Sequence, residues 1–115
     1  MQRFNHTAIG ICQGSLQLFS AFEDNGPMWA GEGPRVERRQ VRFTDSFLLP
    51  PVVHISVSMW DIEGSNNQRA DIASDKVTPD GFEVVFRTWG DTRVARIRAD
   101  WMAIGAVQNE DDFTL

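Results

Sequence analysis

The sequence predicts an all-β protein of about six short strands packed as two antiparallel sheets. Three observations carry that expectation. Side chains alternate with a period of two over three long segments, turn-forming residues fill the gaps, and no twelve-residue window shows a helical apolar stripe. In the first segment Val53, Ile55, Val57 and Met59 share one face, and His54, Ser56 and Ser58 share the other. That is the pattern of a half-buried strand. In the second, Phe82, Val84, Phe86 and Thr88 alternate with Glu83, Val85, Arg87 and Trp89. In the third, covering residues 92–105, Ile97, Ala99 and Trp101 oppose Arg96, Arg98 and Asp100. Shorter strands are expected over residues 15–22, 37–43 and 68–74.

The turn chemistry fits this plan. Pro50 and Pro51 cannot continue a ladder and introduce the strand that follows. Thr78-Pro79-Asp80-Gly81 has the proline and glycine of a type I turn. Gly90-Asp91, between two alternating runs, reads as a hairpin. Residues 63–67 form a polar loop, and residues 25–34, with three glycines and two prolines, form a long irregular connection. One domain is expected: an N-terminal strand and loop over residues 1–35, a sandwich core over 36–107, and a flexible acidic tail over 108–115.

Composition narrows the function. The chain has 115 residues, 42% hydrophobic and 23% charged, the usage of an ordinary globular domain able to bury one core. A formal charge of -5 argues against a dedicated nucleic-acid binder. No apolar stretch approaches the ~20 residues of a membrane span, so no membrane insertion is expected. Residues 1–14 lack the sustained apolar run of a secretory leader. Cytoplasmic retention and release by another route, for example on a particle, both stay open. The single Cys12 excludes an intramolecular disulfide and any multi-cysteine zinc site.

Catalysis finds no residue set. His6 lies near the N-terminus, and His54 is a lone strand histidine. Cys12 has no local base to form a thiolate. Glu110, Asp111 and Asp112 fall on the tail, and residues 61–63 lack the spaced ligands of a calcium loop. No phosphate-binding glycine loop or nucleophile elbow is present. No enzyme, cofactor or metal is expected. Binding has better material. Residues 87–93 concentrate an indole, a carboxylate and two guanidiniums, and Trp89 falls on the polar parity of its strand. Asn67 and Arg69 add hydrogen-bond donors nearby. Two readings fit. Either Trp89 offers an apolar face to a sugar ring while Arg69 and Asn67 meet its hydroxyls, or Trp89 folds back onto the rim and Arg69 pairs with a surface acid. The arginines on outward faces (Arg38, Arg42, Arg96, Arg98) likewise read as a solvated surface or as a subunit interface.

An ordered set of motifs then bears on the choice. Pro-Pro-Val-Val at 50–53, Asn67-Gln68-Arg69, Val77 through Phe82, Thr88-Trp89, and Trp101-Met102-Ala103-Ile104-Gly105 resemble the H-type lectin domain, the family of the snail agglutinins and of the C-terminal domain of slime-mould discoidins. The likeness extends more weakly to Ile11-Cys12-Gln13-Gly14 and to Trp29-Ala30. The resemblance implies a six-stranded antiparallel β-sandwich that forms a homotrimer. It also implies binding of galactose-type sugars, N-acetylgalactosamine above all, at sites shared between subunits, with a part in cell adhesion. Arg69 matches the family's sugar-binding arginine and Trp89 its tryptophan. Counting back from Phe43 places Glu32 at the acid contributed by the adjacent subunit. Gly90 and Asp91 complete the expected site with Asn67.

There are departures. Gly90 stands where a histidine often follows the tryptophan, and Ala95 replaces an aromatic; both remove sugar-facing surface. The family's disulfide positions fall near Leu18 and Phe86, where an apolar contact is expected instead, and its interchain cysteine, near Leu48, is missing. The leading expectation is a module for a galactose-type glycan or bacterial polysaccharide. The alternative is a trimeric structural or assembly module of a phage-like particle or surface complex, with a vestigial sugar site.

Overall fold

The structure is a computed structural model that describes residues 1–20 and 26–109. Its elements are β1 (Ala8–Ser20), α1 (Pro27–Ala30), β2 (Arg35–Arg42), β3 (Val52–Ile62), β4 (Asp71–Thr78), β5 (Gly81–Thr88) and β6 (Val94–Val107). Two three-stranded antiparallel sheets, ordered β1-β6-β3 and β2-β5-β4, pack face to face. The all-β sandwich expected from the alternation is therefore the observed architecture.

The core is built from the inward parity of each strand. Leu18, Val41, Phe82, Val84, Phe86, Val94, Ile97 and Ala103 form one buried cluster with Phe43, Phe47 and Met28. Burying each large side chain contributes roughly 1.5–3 kcal/mol. At one end Phe82 meets Trp101 edge-on at 5.4 Å and Phe43 meets Phe47 the same way at 5.0 Å. Trp101 is thus a core anchor. Leu18 and Phe86 are both buried, and the ring of Phe86 packs against Phe19 at 5.7 Å. Apolar packing occupies the place where the resemblance implied a bridge.

Four expectations are corrected. First, Gly90-Asp91 does not close a hairpin, because β5 and β6 lie in different sheets. The local turn signal is real, but both strands carry an apolar inner face, and those faces bury best against each other. Residues 89–93 span easily the ~10 Å between packed sheets. Second, β4 begins at Asp71 rather than residue 68, because residues 67–69 are held by side-chain hydroxyls instead of a ladder. Third, β1 begins at Ala8, seven residues before the expected start at residue 15. Only the weak likeness over residues 11–14 pointed to this earlier stretch, where Gly14 is required: a Cβ at that position would fall 2.8 Å from the Trp101 ring across the ladder. Fourth, the 25–34 connection contains one helical turn, α1, opened by Pro27 at its first position. Residues 21 and 22 of the expected first strand, and 110–115 of the expected tail, lie outside the described residues.

Three of the outward arginines, Arg38, Arg96 and Arg98, have partners within their own chain. Arg38 reaches Asp75 at 3.3 Å and Glu83 at 3.2 Å, Arg96 reaches Asp61 at 3.1 Å, and Arg98 donates to the Ser58 hydroxyl at 3.1 Å. Such exposed pairs contribute ~0–1 kcal/mol each. The strongest apolar exposure is elsewhere, on the outer face of β1-β6-β3. Ile11, Ile104 and Val52 form one cross-strand row, with Gln13, Met102 and His54 in the next. Ile9, Ile11 and Val52 are each more than half exposed.

Candidate functional site

One end of the sandwich gathers the end of β5, the start of β6, the loop before β4 and the loop before β2. Its architecture starts from two buried threonines. Thr88 and Thr92 flank the loop that carries Trp89, Gly90 and Asp91, and they are 1% and 0% exposed. A hydroxyl so deep needs a partner, and each finds one on the segment before β4. The Thr88 hydroxyl donates to the Arg69 carbonyl at 2.5 Å, and the Thr92 hydroxyl donates to the Asn67 carbonyl at 2.5 Å. The Arg69 amide donates back to Thr92 Oγ1 at 3.1 Å. The backbone of 67–69 is thereby clamped against the loop of 89–91.

This clamp aims the Arg69 side chain across the loop. Its Nη1 donates to Asp91 Oδ1 at 2.6 Å. A Cβ built on Gly90 would lie 3.0 Å from the same nitrogen, and Gly90 has φ +69°. Position 90 thus favours glycine for its left-handed backbone, and a Cβ there would press on the guanidinium above it, which would have to give by a few tenths of an ångström. A Gly90→Ala variant is expected to lose ~1 kcal/mol in urea unfolding and to displace Arg69. An unchanged midpoint would show that neither constraint holds.

The Arg69 hydrogen bond holds the Asp91 carboxyl below the usual carboxylate range, with a further contribution from the Asn67 amide. A depressed acid stabilises the fold above its unfolded pKa, and that contribution is lost as pH falls through the lowered value. A carboxyl-carbon NMR titration is expected to place Asp91 below the ordinary ~3.9. Arg69→Ala should move the midpoint upward; no movement would mean that the pair is not formed in solution.

The third wall is the loop before β2. The Gly33 amide donates to the Gly90 carbonyl at 3.0 Å. Arg35 binds the same carbonyl through Nη2 at 3.1 Å, the Gly33 carbonyl through Nε at 2.9 Å and the Met28 carbonyl through Nη1 at 3.1 Å. Partial burial lowers the pKa of Arg35, and the nearby Glu32 charge works against that lowering. Glu32 itself is exposed.

The structure therefore brings together Asn67, Arg69, Gly90 and Asp91, with Trp89 on the rim, 42% exposed. Trp89 is not folded into the core. Arg69 has its surface acid, Asp91, as the second sequence reading expected. Glu32 lies beside Arg35, one residue from the Gly33 contact with Gly90 of its own chain. Sequence reasoning missed Thr88, Thr92 and Arg35 as the residues that set the geometry. Among the described residues no cluster of His, Cys, Asp and Glu is placed to hold a metal ion, and no helix is long and apolar enough to cross a membrane.

Two packed three-stranded sheets define a class, the antiparallel β-sandwich domains. Comparison gives the particular family. The profile of the H-type lectin domain matches residues 38–104. The chain is 49% identical over 108 residues to a Fuscovulum blasticum protein named ATP synthase subunits region ORF 7, covering 94% of each. It is 34% identical over 76 residues to Discoidin-2 of Dictyostelium discoideum, covering 65% of this chain and 30% of that one. The structure of recombinant discoidin II from the same organism superposes with a TM-score of 0.76 at 23% identity, over 92% of this chain and 40% of that one. The chain thus spans about a third of the discoidins it matches. The chain belongs to the H-type lectin family of carbohydrate-binding domains.

Proposed function

We propose that the chain is a lectin whose Trp89–Arg69 rim binds galactose-type sugars, N-acetylgalactosamine included, in a homotrimer. The observation that carries the reading is the clamp, which holds an Arg69 guanidinium over Gly90 beside an exposed Trp89. An indole face suits the C–H surface of a pyranose. Arg69 uses Nη1 on Asp91, and its Nε and Nη2 supply further donors for vicinal hydroxyls. Asn67 and Asp91 orient the arginine. Glu32 of a neighbouring subunit accepts from the sugar.

The exposed Ile9, Ile11 and Val52 support self-association, since burying that row removes apolar area from water. A single shallow site binds weakly, and three on one particle gain by effective concentration. The same apolar row also favours the second reading, an assembly module of a larger particle with a vestigial sugar site. A glycan array of galactose-type sugars and bacterial polysaccharides, read with solution mass, tests the proposal. Binding by a three-chain particle is the expected result. An intact trimer silent on every ligand would remove the lectin and leave the assembly role.

A further inference from the structure

We infer that Arg35 is a positioning residue that serves two sites at once: its guanidinium fixes the Trp89 rim of its own subunit and, through the loop of residues 31–34, holds Glu32 in place for the site of the next subunit. The inference rests on the reading of Trp89, Arg69 and a neighbour's Glu32 as one shared sugar site.

The sequence leaves this loop little means of holding itself. Glu32 stands between Gly31 and Gly33, and Pro34 lacks an amide donor. Gly33 has φ +73°, and residues 31–34 belong to neither a helix nor a strand. Glu32 is exposed and makes no hydrogen bond or ion pair among the described residues. A carboxylate on so permissive a backbone is placed only if something else pins the loop.

Arg35 does so. Its Nη1 donates to the Met28 carbonyl at 3.1 Å and to the Pro27 carbonyl at 3.4 Å, and its Nε donates to the Gly33 carbonyl at 2.9 Å. Its Nη2 donates to the Gly90 carbonyl at 3.1 Å. One planar fork thus ties both ends of the Glu32 loop to the turn that follows Trp89, a span that a single ammonium lacks. Gly31 makes room for the stem: a Cβ there would fall 3.1 Å from Arg35 Cδ and 2.5 Å from the Pro27 carbonyl oxygen. The Gly33 amide completes the link by donating to the same Gly90 carbonyl at 3.0 Å. Residue 90 is therefore held by Arg35 at its carbonyl, while Arg69 lies over it on the sugar side. Glu32 feels the Arg35 charge without pairing to it, so its oxygens stay available to a hydroxyl.

Arg35→Gln should fold, with β6 amides exchanging as in the parent. Its Gly33 amide should exchange about tenfold faster, and its affinity for N-acetylgalactosamine should fall about tenfold. Arg35→Lys keeps the charge and should rescue neither effect. Mixed trimers of co-expressed, differently tagged chains then separate the two duties, each titrated with N-acetylgalactosamine by calorimetry. Every mixed ring holds one junction at which the first chain lends its rim and the second its Glu32. Glu32→Ala with Trp89→Ala should regain one site of parent affinity per trimer. Arg35→Gln with Trp89→Ala, where the Arg35 variant lends the rim, should regain none. Arg35→Gln with Glu32→Ala, where it lends the acid, should regain none either. Should Arg35→Gln fail to fold, Arg35→Lys takes its place in both mixtures. A parent-affinity site in either of these two mixtures, or parent affinity in the Arg35 variant alone, would overturn the double role and leave the shared site standing. Silence of the Glu32→Ala and Trp89→Ala mixture would remove the shared site and this role together.

Discussion

Trp89→Ala and Arg69→Ala are each expected to abolish retention on an immobilised N-acetylgalactosamine column while the protein stays folded. The indole is 42% exposed and outside the core cluster, so its loss should change stability by no more than about 0.5 kcal/mol. It removes the stacking face, which costs up to about tenfold in affinity. Arg69→Ala removes charged donors worth about 1.5–3 kcal/mol. Arg69→Lys should rescue little, because an ammonium cannot hold Asp91 and span two hydroxyls together. Column retention and urea midpoints measured side by side decide the matter. Variants that fold normally and are retained like the parent would return the rim to ordinary surface and favour the assembly role.

The double variant Thr88→Val, Thr92→Val carries the largest expected loss of stability, about 2–4 kcal/mol, and it should also remove sugar binding. Both substitutions keep the shape of a buried side chain and delete its hydroxyl. The Arg69 and Asn67 carbonyls and the Arg69 amide then lose three hydrogen bonds at the base of the loop. Each buried group left unpaired costs about 1–3 kcal/mol. The segment before β4 should come away from the Trp89 loop, so Arg69 no longer lies over Gly90. Hydrogen exchange at the Arg69 amide reads this directly: fast exchange in the double variant is expected. Protection equal to the parent, with sugar binding intact, would mean that the threonines do not set the site.

Much of this was legible in the sequence. Period-two alternation located β3, β5 and β6, and the register agrees with the faces assigned to Ile97 and Trp101, although Val85 on the outer parity of β5 is also buried. The positions of Arg69 and Trp89 followed from motif resemblance, and Trp89 also from its parity with Glu83 and Arg87. What was hidden was long-range. Gly90-Asp91 has real turn chemistry, but sheet membership depends on which faces pack, and local turn signals do not report that. The start of β4 moved because the hydroxyls of Thr88 and Thr92 outcompete a ladder for residues 67–69. One signal was present: Thr88 sits on the apolar parity of Phe82, Val84 and Phe86, and a hydroxyl on a buried face requires a partner. Arg35 gave no such signal, since its four carbonyl acceptors come from positions distant in the chain or from a loop without periodicity.

The most direct test is a nitrogen–proton NMR titration of the four tryptophan indoles with N-acetylgalactosamine. The Trp89 resonance, assigned by its absence in Trp89→Phe, should move progressively and saturate, with the Arg69 side-chain signal moving alongside it. A Trp89 resonance that stays fixed at the highest sugar concentration, or movement confined to the other indoles, would contradict the assignment of this rim as the saccharide site.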